Sequence, residues 1–295
     1  MTPLHKAGLV AVAGRPNAGK STLLNQLVGE KLAITSPKAQ STRHRIVGIR
    51  SDPGCQMVLL DTPGLLEPQD DLHRAMRVAA LGALRDADLI LHLADAGAGD
   101  PPALQQVAAL ETPPRAPVLV VLNKIDRLTE EQRTTLALTH PEAIPVSALT
   151  GEGIPALLAA IATRLPDSPS LYPEDELSTQ PVRFFCAELV RETALEQLGD
   201  ELPHALACEI EEFREGTTPL YIRAVLHVER DSQKAIVIGA NGQQIKKLGR
   251  SAREKIERLV GAPVYLDLWV KVLPNWRRKR HALLRFGYDD PSRAG

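Results

Sequence analysis

Gly14-Arg15-Pro16-Asn17-Ala18-Gly19-Lys20-Ser21-Thr22 decides how the first half of this chain is read. The stretch fits G-x-x-x-x-G-K-[ST], with the apolar Leu9–Ala13 before it and a helix-compatible Ser21–Val28 after it. Glycines let a backbone wrap a phosphate without Cβ obstruction, and the N–H groups at the helix start face the anion. In this arrangement Lys20 reaches the β and γ phosphates of a nucleotide and the Ser21 hydroxyl ligates Mg²⁺.

Outward from this loop, short apolar runs alternate with helical patterns. The runs are Leu9–Ala13, Met57–Leu60, Leu89–Leu93, Val118–Leu122 and a weaker Ala143–Val146. Helices are expected near Ser21–Val28, Leu72–Leu84, Pro102–Leu110, Glu130–Leu138 and Ile154–Arg164. Apolar strands without polar alternation are covered on both faces, so the expectation is a mostly parallel, doubly wound α/β sheet. Its ligand then sits at the carboxyl ends of the strands.

Three more segments fall at such strand ends. Asn123-Lys124-Ile125-Asp126 is an N-K-x-D pattern closing Val118–Leu122. Guanine presents N1–H and N2–H₂ side by side, and the Asp126 carboxylate accepts from both. Adenine offers a lone pair there, and a site built to hydrogen-bond rejects the unmatched base. Asn123 would tie the base loop to the phosphate loop, and the Lys124 stem would cover the ring. Asp61-Thr62-Pro63-Gly64 follows Met57–Leu60 and suits a water-mediated Mg²⁺ contact from Asp61 and a γ-phosphate contact from the Gly64 N–H. Ser147-Ala148-Leu149 ends the last short strand, where backbone N–H would meet guanine O6.

These four motifs, in the chain order Gly14–Ser21, Asp61–Gly64, Asn123–Asp126 and Ser147–Leu149, resemble the translation-factor-related GTPases. Lys38-Ala39-Gln40-Ser41-Thr42-Arg43-His44-Arg45-Ile46-Val47-Gly48-Ile49 is similar to the first switch of the bacterial Era GTPases, and the resemblance covers nearly the whole chain. It implies a GTP/GDP switch in which Thr42 closes over Mg²⁺ and the γ-phosphate, with Ser41 carrying a hydroxyl next door. Lys20, Thr42 and Gly64 are then the catalytic set. Leu65 stands where Ras-like enzymes place a water-orienting Gln, which implies slow unassisted hydrolysis. Asn17 matches an Asn that in related GTPases coordinates potassium, so K⁺ is a second expected cation. Arg43 and Arg45 read either as phosphate neutralisers or as part of a solvated loop.

The second half has a different make-up. All ten Phe, Trp and Tyr residues lie from Tyr172 onward. The formal net charge of −1 hides a balance of +10 between Ser232 and Arg285 and −11 elsewhere. The expected domains are 1–165, a Pro-rich linker 166–180, and 181–295. The second domain is expected to hold a helix at Pro181–Leu198, strand-like runs at Ala205–Phe213, Leu220–Glu229 and Lys234–Ile238, a helix at Gln243–Val260 and a strand at Val264–Val272. Gly239-Ala240-Asn241-Gly242 is a G-x-x-G loop, which in KH domains clamps about four single-stranded nucleotides. Gln243, Lys246, Lys247 and Arg250 follow it, with Arg253 and Lys255 further along the same helix. Trp276, beside the basic Arg277–Arg280, reads as packing the last helix down, with base stacking as the alternative.

Era proteins carry a C-terminal KH domain (type II) that binds the 3′ end of small-subunit rRNA during ribosome assembly. The resemblance implies that role, with the small ribosomal subunit as partner and no DNA. An RNA-binding scaffold with GTP as mainly a structural ligand is the competing class, kept open by Leu65. An ATP-using enzyme is opposed by Asp126. With 44% apolar residues the chain can bury a sizeable core. Three scattered cysteines predict a reduced, cytoplasmic setting, and no apolar run approaches a membrane span, so membrane contact is expected to be peripheral at most.

Overall fold

The computed structural model describes residues 5–36, 41–65, 67–198, 202 and 206–293. The chain divides into two units, the first comprising most residues up to Thr179 and the second Gln180–Pro291.

In the first unit six strands, β1 (Lys6–Ala13), β2 (Ile46–Asp52), β3 (Cys55–Asp61), β4 (Leu89–Asp95), β5 (Val118–Asn123) and β6 (Ile144–Val146), form one sheet in the order β2-β3-β1-β4-β5-β6. Only β2 runs antiparallel. Helices α1 (Lys20–Val28), α2 (Asp71–Asp86), α3 (Leu104–Val107), α4 (Glu130–Thr139) and α5 (Ile154–Arg164) connect the strands. Every residue of β3 is buried, as is the Leu23, Leu24 and Leu27 face of α1. The strand order reverses at β1, and such a reversal opens a crevice at the carboxyl ends. Register places Val12 beside Asp61 and Asn123 beside both Asp95 and Val146, so the motif-bearing ends are level.

Strand β2 lies inside the stretch read above as a switch, of which Lys38, Ala39 and Gln40 are outside the described residues. Its signal was the turn Pro53-Gly54, with Gly54 at φ 79°, that folds it back onto β3. The helix expected over Pro102–Leu110 shrinks to α3, because Ala109 enters the left-handed region at φ 47° and ends it. Residues 166–179, expected as linker, lie on the first unit. Gln56 is buried and accepts from the Leu171 and Tyr172 N–H groups at 2.7 and 2.9 Å, while its amide donates to the Tyr172 carbonyl. Ile49 N–H donates to the Leu177 carbonyl at 2.8 Å, and the Ser178 hydroxyl donates to Val47. An edge strand needs partners for its outward backbone, and this segment supplies them. Tyr172, the first aromatic in the chain, packs on the first unit's core.

In the second unit, α6 (Val182–Gln197) precedes β7 (Ala207–Arg214) and β8 (Leu220–Val228), then α7 (Asp231–Ile238), α8 (Gln243–Val260), β9 (Val264–Val272) and α9 (Arg280–Arg285). Ala205, the expected start of the first strand, lies outside the described residues. The sheet order is β7-β8-β9, antiparallel then parallel. Leu248, Ala252 and Ile256, one turn apart on α8, are fully buried against Ile222, Ala224 and Leu226 of β8 and against α6.

The strand expected over Lys234–Ile238 is wrong: these residues complete helix α7. A five-residue apolar run does not distinguish strand from helix. Local capping decides it. Gln233 Oε1 accepts from the Glu229 and Arg230 N–H groups at 2.8 and 3.0 Å, starting the helix, and Gly239 at φ 70° stops it. Only Val237 of the run is fully inside, and Ile236 stays exposed.

Candidate functional site

At the end of β1, a Cβ on Gly14 would collide with the Leu93 carbonyl oxygen, and one on Gly19 (φ 97°) with the Asn123 amide. Glycine is therefore a packing requirement at both positions, not only a phosphate requirement. Arg15 and Asn17 are exposed on the loop, Pro16 is half-buried, Ala18 is buried, and Asn17 is held at φ 62°. Lys20 is buried, and its Nζ donates to the Gly14 and Arg15 carbonyls at 3.2 and 3.0 Å. Burial pulls its pKa down to about 8, with Asp61 opposing that shift. Thr22 joins Lys20 and Ser21 in lining the cavity under the loop, together with Ser41, Thr42 and Gly64.

Three buried oxygen-bearing side chains meet there. Ser21 Oγ donates to Asp61 Oδ2 at 2.7 Å and lies 2.6 Å from Thr42 Oγ1, which donates to the same carboxylate oxygen at 3.2 Å. Asp61 Oδ1 is buried with no hydrogen-bond partner. Burial raises the Asp61 pKa, against the opposing pull of Lys20, Ser21 and Thr42. An all-oxygen set with an unspent carboxylate oxygen fits a hard divalent cation. Thr42 makes the contact with Ser21. Arg43 is buried, and Arg45, partly exposed, pairs with Asp86 at 2.9 Å.

Thr62 is buried and its hydroxyl donates to the Val12 carbonyl, Pro63 is buried beside it, and a Cβ on Gly64 would meet Pro16 Cγ at 2.9 Å. Leu65 is 5% exposed and packs in the core with Ala80, Leu84 and Ile90. Its side chain is committed to the interior.

Asn123 is the keystone of the base end. Its Nδ2 donates to the Ala18 carbonyl at 2.8 Å, and its Oδ1 accepts from the Ala148 N–H at 2.9 Å. One buried side chain therefore joins the phosphate loop, β5 and the Ser147–Leu149 loop. Lys124 is left-handed (φ 69°), and its Nζ binds Asp95 Oδ2 at 2.7 Å. Asp95 was not singled out from sequence; its one signal was an acidic residue at the end of an apolar run. Burial raises the Asp95 carboxyl, but Lys124 and the Gly97 N–H outweigh it and hold it below its ordinary value. Ile125 anchors the loop by packing on Leu122 and Ala96. Asp126 is exposed with Oδ1 accepting from Ser147 Oγ at 2.6 Å, and Leu149 is exposed.

In the second unit the G-x-x-G loop makes a tight turn, with Gly239, Asn241 and Gly242 at φ 70°, 50° and 72° and Ala240 exposed between them. It opens directly into α8 at the exposed Gln243. Lys246, Arg250 and Arg253 line a groove between α8 and β9, closed by Tyr265, Leu266 and Leu268. Lys247 is exposed outside that lining. Lys255 belongs elsewhere: its ammonium binds Glu192 at 2.9 Å and Glu196 at 2.7 Å on α6. Trp276 is fully buried, edge-on to Phe286 and stacked on Tyr288, so it packs the C-terminal segment down and does not stack on a base. Tyr265 on β9 was missed, because its place depends on which face of the sheet it occupies.

Residues 9–124 match a family model described as 50S ribosome-binding GTPase, and residues 201–277 match the KH domain model. The chain is 40% identical to GTPase Era of Carboxydothermus hydrogenoformans over 97% of its own length and 99% of that protein. The chain belongs to the Era family of GTPases. GTPase Era of Synechocystis is 43% identical, with 96% of this chain and 92% of that protein covered. Among solved structures, Aquifex aeolicus Era bound to GDP and tetrafluoroaluminate superposes with a TM-score of 0.90 at 40% identity, covering 96% of this chain and 99% of that one. An Era complex with MgGDPNP and nucleotides 1506–1542 of 16S ribosomal RNA gives the same score and identity over 97% and 99%. As an Era-family member the chain is a GTPase with a C-terminal KH domain. No described helix is long and apolar enough to cross a membrane.

Proposed function

We propose that this chain is a cytoplasmic GTP-driven switch that binds single-stranded ribosomal RNA through its α8–β9 groove during assembly of the small ribosomal subunit. The observation that carries the reading is the Asn123 bridge, which joins a phosphate loop to a guanine-reading loop, in a chain matching along 97% of its length an Era bound to MgGDPNP and 16S rRNA. Asp126, oriented by Ser147, accepts from guanine N1–H and N2–H₂. The Lys124 stem, tethered by Asp95, covers the ring face. Lys20 exchanges its two loop carbonyls for phosphate oxygens, and the loop amides hold the rest.

Mg²⁺ would be held by Ser21 and Thr42, with Asp61 behind them, and supplies positive charge for the phosphate oxygens. Water attacks the γ-phosphorus, the bond to the β–γ bridging oxygen breaks, and GDP and phosphate leave. The residues' share is alignment and charge: Lys20 and the loop amides stabilise the transferring group. Leu65, packed inside, offers no carboxamide to the water, so turnover without a partner is slow. Asn17 on the exposed loop would hold K⁺, which supplies charge where an arginine finger is lacking.

Asp126→Asn tests the core of this reading. GTP binding weakens and xanthosine triphosphate binding appears in the same protein, because the amide now donates where the carboxylate accepted. Unchanged GTP affinity would remove the basis for guanine recognition.

A further inference from the structure

The second unit's sheet has a face that none of the described core helices α6, α7 and α8 covers. Along β8 and β9 the alternation puts Ile222, Ala224, Leu226, Leu266 and Leu268 against the core, and Tyr221, Arg223, Val225, His227, Tyr265, Asp267 and Trp269 on the outer face. The C-terminal segment covers one end of that face: Phe286 lies 4.9 Å from the His227 ring, and Val225 and His227 are buried. The other end is open. Tyr265 is 58% exposed and Trp269 is 54% exposed.

The open end is ordered. Register sets Arg214, Tyr221 and Tyr265 in one row across the three strands. The two tyrosine rings are stacked at 5.8 Å and 12°, and the Arg214 guanidinium lies 4.7 Å from the Tyr221 ring. Asp267 pins the neighbours: its Oδ2 accepts from Tyr221 Oη and Arg223 Nε, both at 3.0 Å, and its Oδ1 accepts from Trp269 Nε1 at 2.8 Å. Arg223 donates in turn to Tyr221 Oη at 2.7 Å. Rings held this way lose little further entropy when something flat lies on them.

We infer that Tyr265, backed by Tyr221, and Trp269 form a base-stacking platform for nucleotides that flank those held in the α8–β9 groove. Continuity with the groove favours RNA as the occupant. Tyr265 lines the groove with Lys246, Arg250 and Arg253 and is also the end of the tyrosine row. β9 is the sheet edge, so a strand leaving the groove passes over Tyr265 onto the outer face. Aromatic faces accept any base, and Arg214 and Arg223, both paired with Glu212, hold the Tyr221 ring behind Tyr265. The platform therefore lengthens the bound segment without adding sequence readout. It rests on the groove reading above.

The test uses the full chain and two labelled RNAs, a four-nucleotide core and the same core with five flanking nucleotides, in anisotropy titrations. Trp269→Ala should weaken the long RNA about tenfold and leave the short one unchanged, and Trp269→Phe, which keeps a ring, should restore most of the loss. Long RNA should also quench the exposed Trp269 emission in the wild type, while buried Trp276 stays silent. Equal long-RNA affinity in Trp269→Ala and wild type would overturn the platform, and so would a face that binds protein and leaves both RNAs untouched. Lys246→Glu should weaken both RNAs; if it weakens neither, the groove reading fails, and the platform with it.

Discussion

Replacing Asn123 is the sharpest way to separate a folding role from a ligand-binding role at the nucleotide site. Its two hydrogen bonds, to the Ala18 carbonyl and from the Ala148 N–H, are both buried, and the residue is 2% exposed. Asn123→Ala strands both partners, each at about 1–3 kcal/mol. Water entering the hole recovers part of this, so a total of about 2–4 kcal/mol is expected. The loss divides between stability and ligand affinity, because the bridged loops hold opposite ends of the nucleotide. If half falls on binding, GDP affinity drops about fivefold to thirtyfold. Asn123→Asp is the informative partner. It keeps the shape and the bond from Ala148 N–H, but sets an oxygen against the Ala18 carbonyl. It should therefore lose at least as much as alanine. The assay is dissociation of fluorescent GDP by stopped flow, with urea unfolding of each variant beside it. Stability losses in both variants with GDP dissociation within twofold of wild type would refute the claim that Asn123 sets the loops for ligand.

Three other outcomes follow from the same geometry. Asp95→Asn should speed GDP and IDP dissociation equally, about fivefold given the partial exposure of the pair, because Lys124 covers the ring face and does not read the edge; Asp95→Glu should recover part of this, and a loss specific to GDP would contradict it. Lys255→Met should cost about 1–3 kcal/mol in urea unfolding, since it removes a charged hydrogen bond to Glu192, which is 1% exposed; RNA affinity lost at full stability would instead return Lys255 to the RNA surface. Burial lowers the His227 pKa below its ordinary 6.5, although Glu209 opposes this. The unfolded chain then binds the extra proton, so stability is lost as pH falls through 6.5. Thermal melts between pH 7.5 and 5.5 should show a slope that His227→Gln reduces; an equal slope in both proteins would place the acid sensitivity elsewhere.

The residues that the structure gathers around the phosphate loop and Asn123 are nearly all ones the motifs name, and the reason is local. A phosphate loop, an N-K-x-D turn and a D-x-x-G turn work through backbone geometry and side chains contiguous in the chain, so their chemistry survives without knowledge of the fold. The apolar runs likewise marked the five parallel strands, while their order in the sheet and the antiparallel β2 came from the structure. The errors have the opposite character. α7 was misread because five apolar residues fit either period, and the decision lay with Gln233 capping Glu229 and Arg230.

Charge and sheet faces were beyond the sequence. Lys255 looks like its basic neighbours on α8, yet its partners are about 60 residues away on α6. Asp95 became a positioning residue only when strands β4 and β5 paired, and Gln56 became a fastener only when residues 171–172 lay across it. The motifs by themselves determined which chemistry this chain performs. Packing alone decided which cations line the α8–β9 groove, which tryptophan is buried and which is open, and where the connector lies. Those questions turn on contacts between residues far apart in the chain, and local pattern carries no information about them.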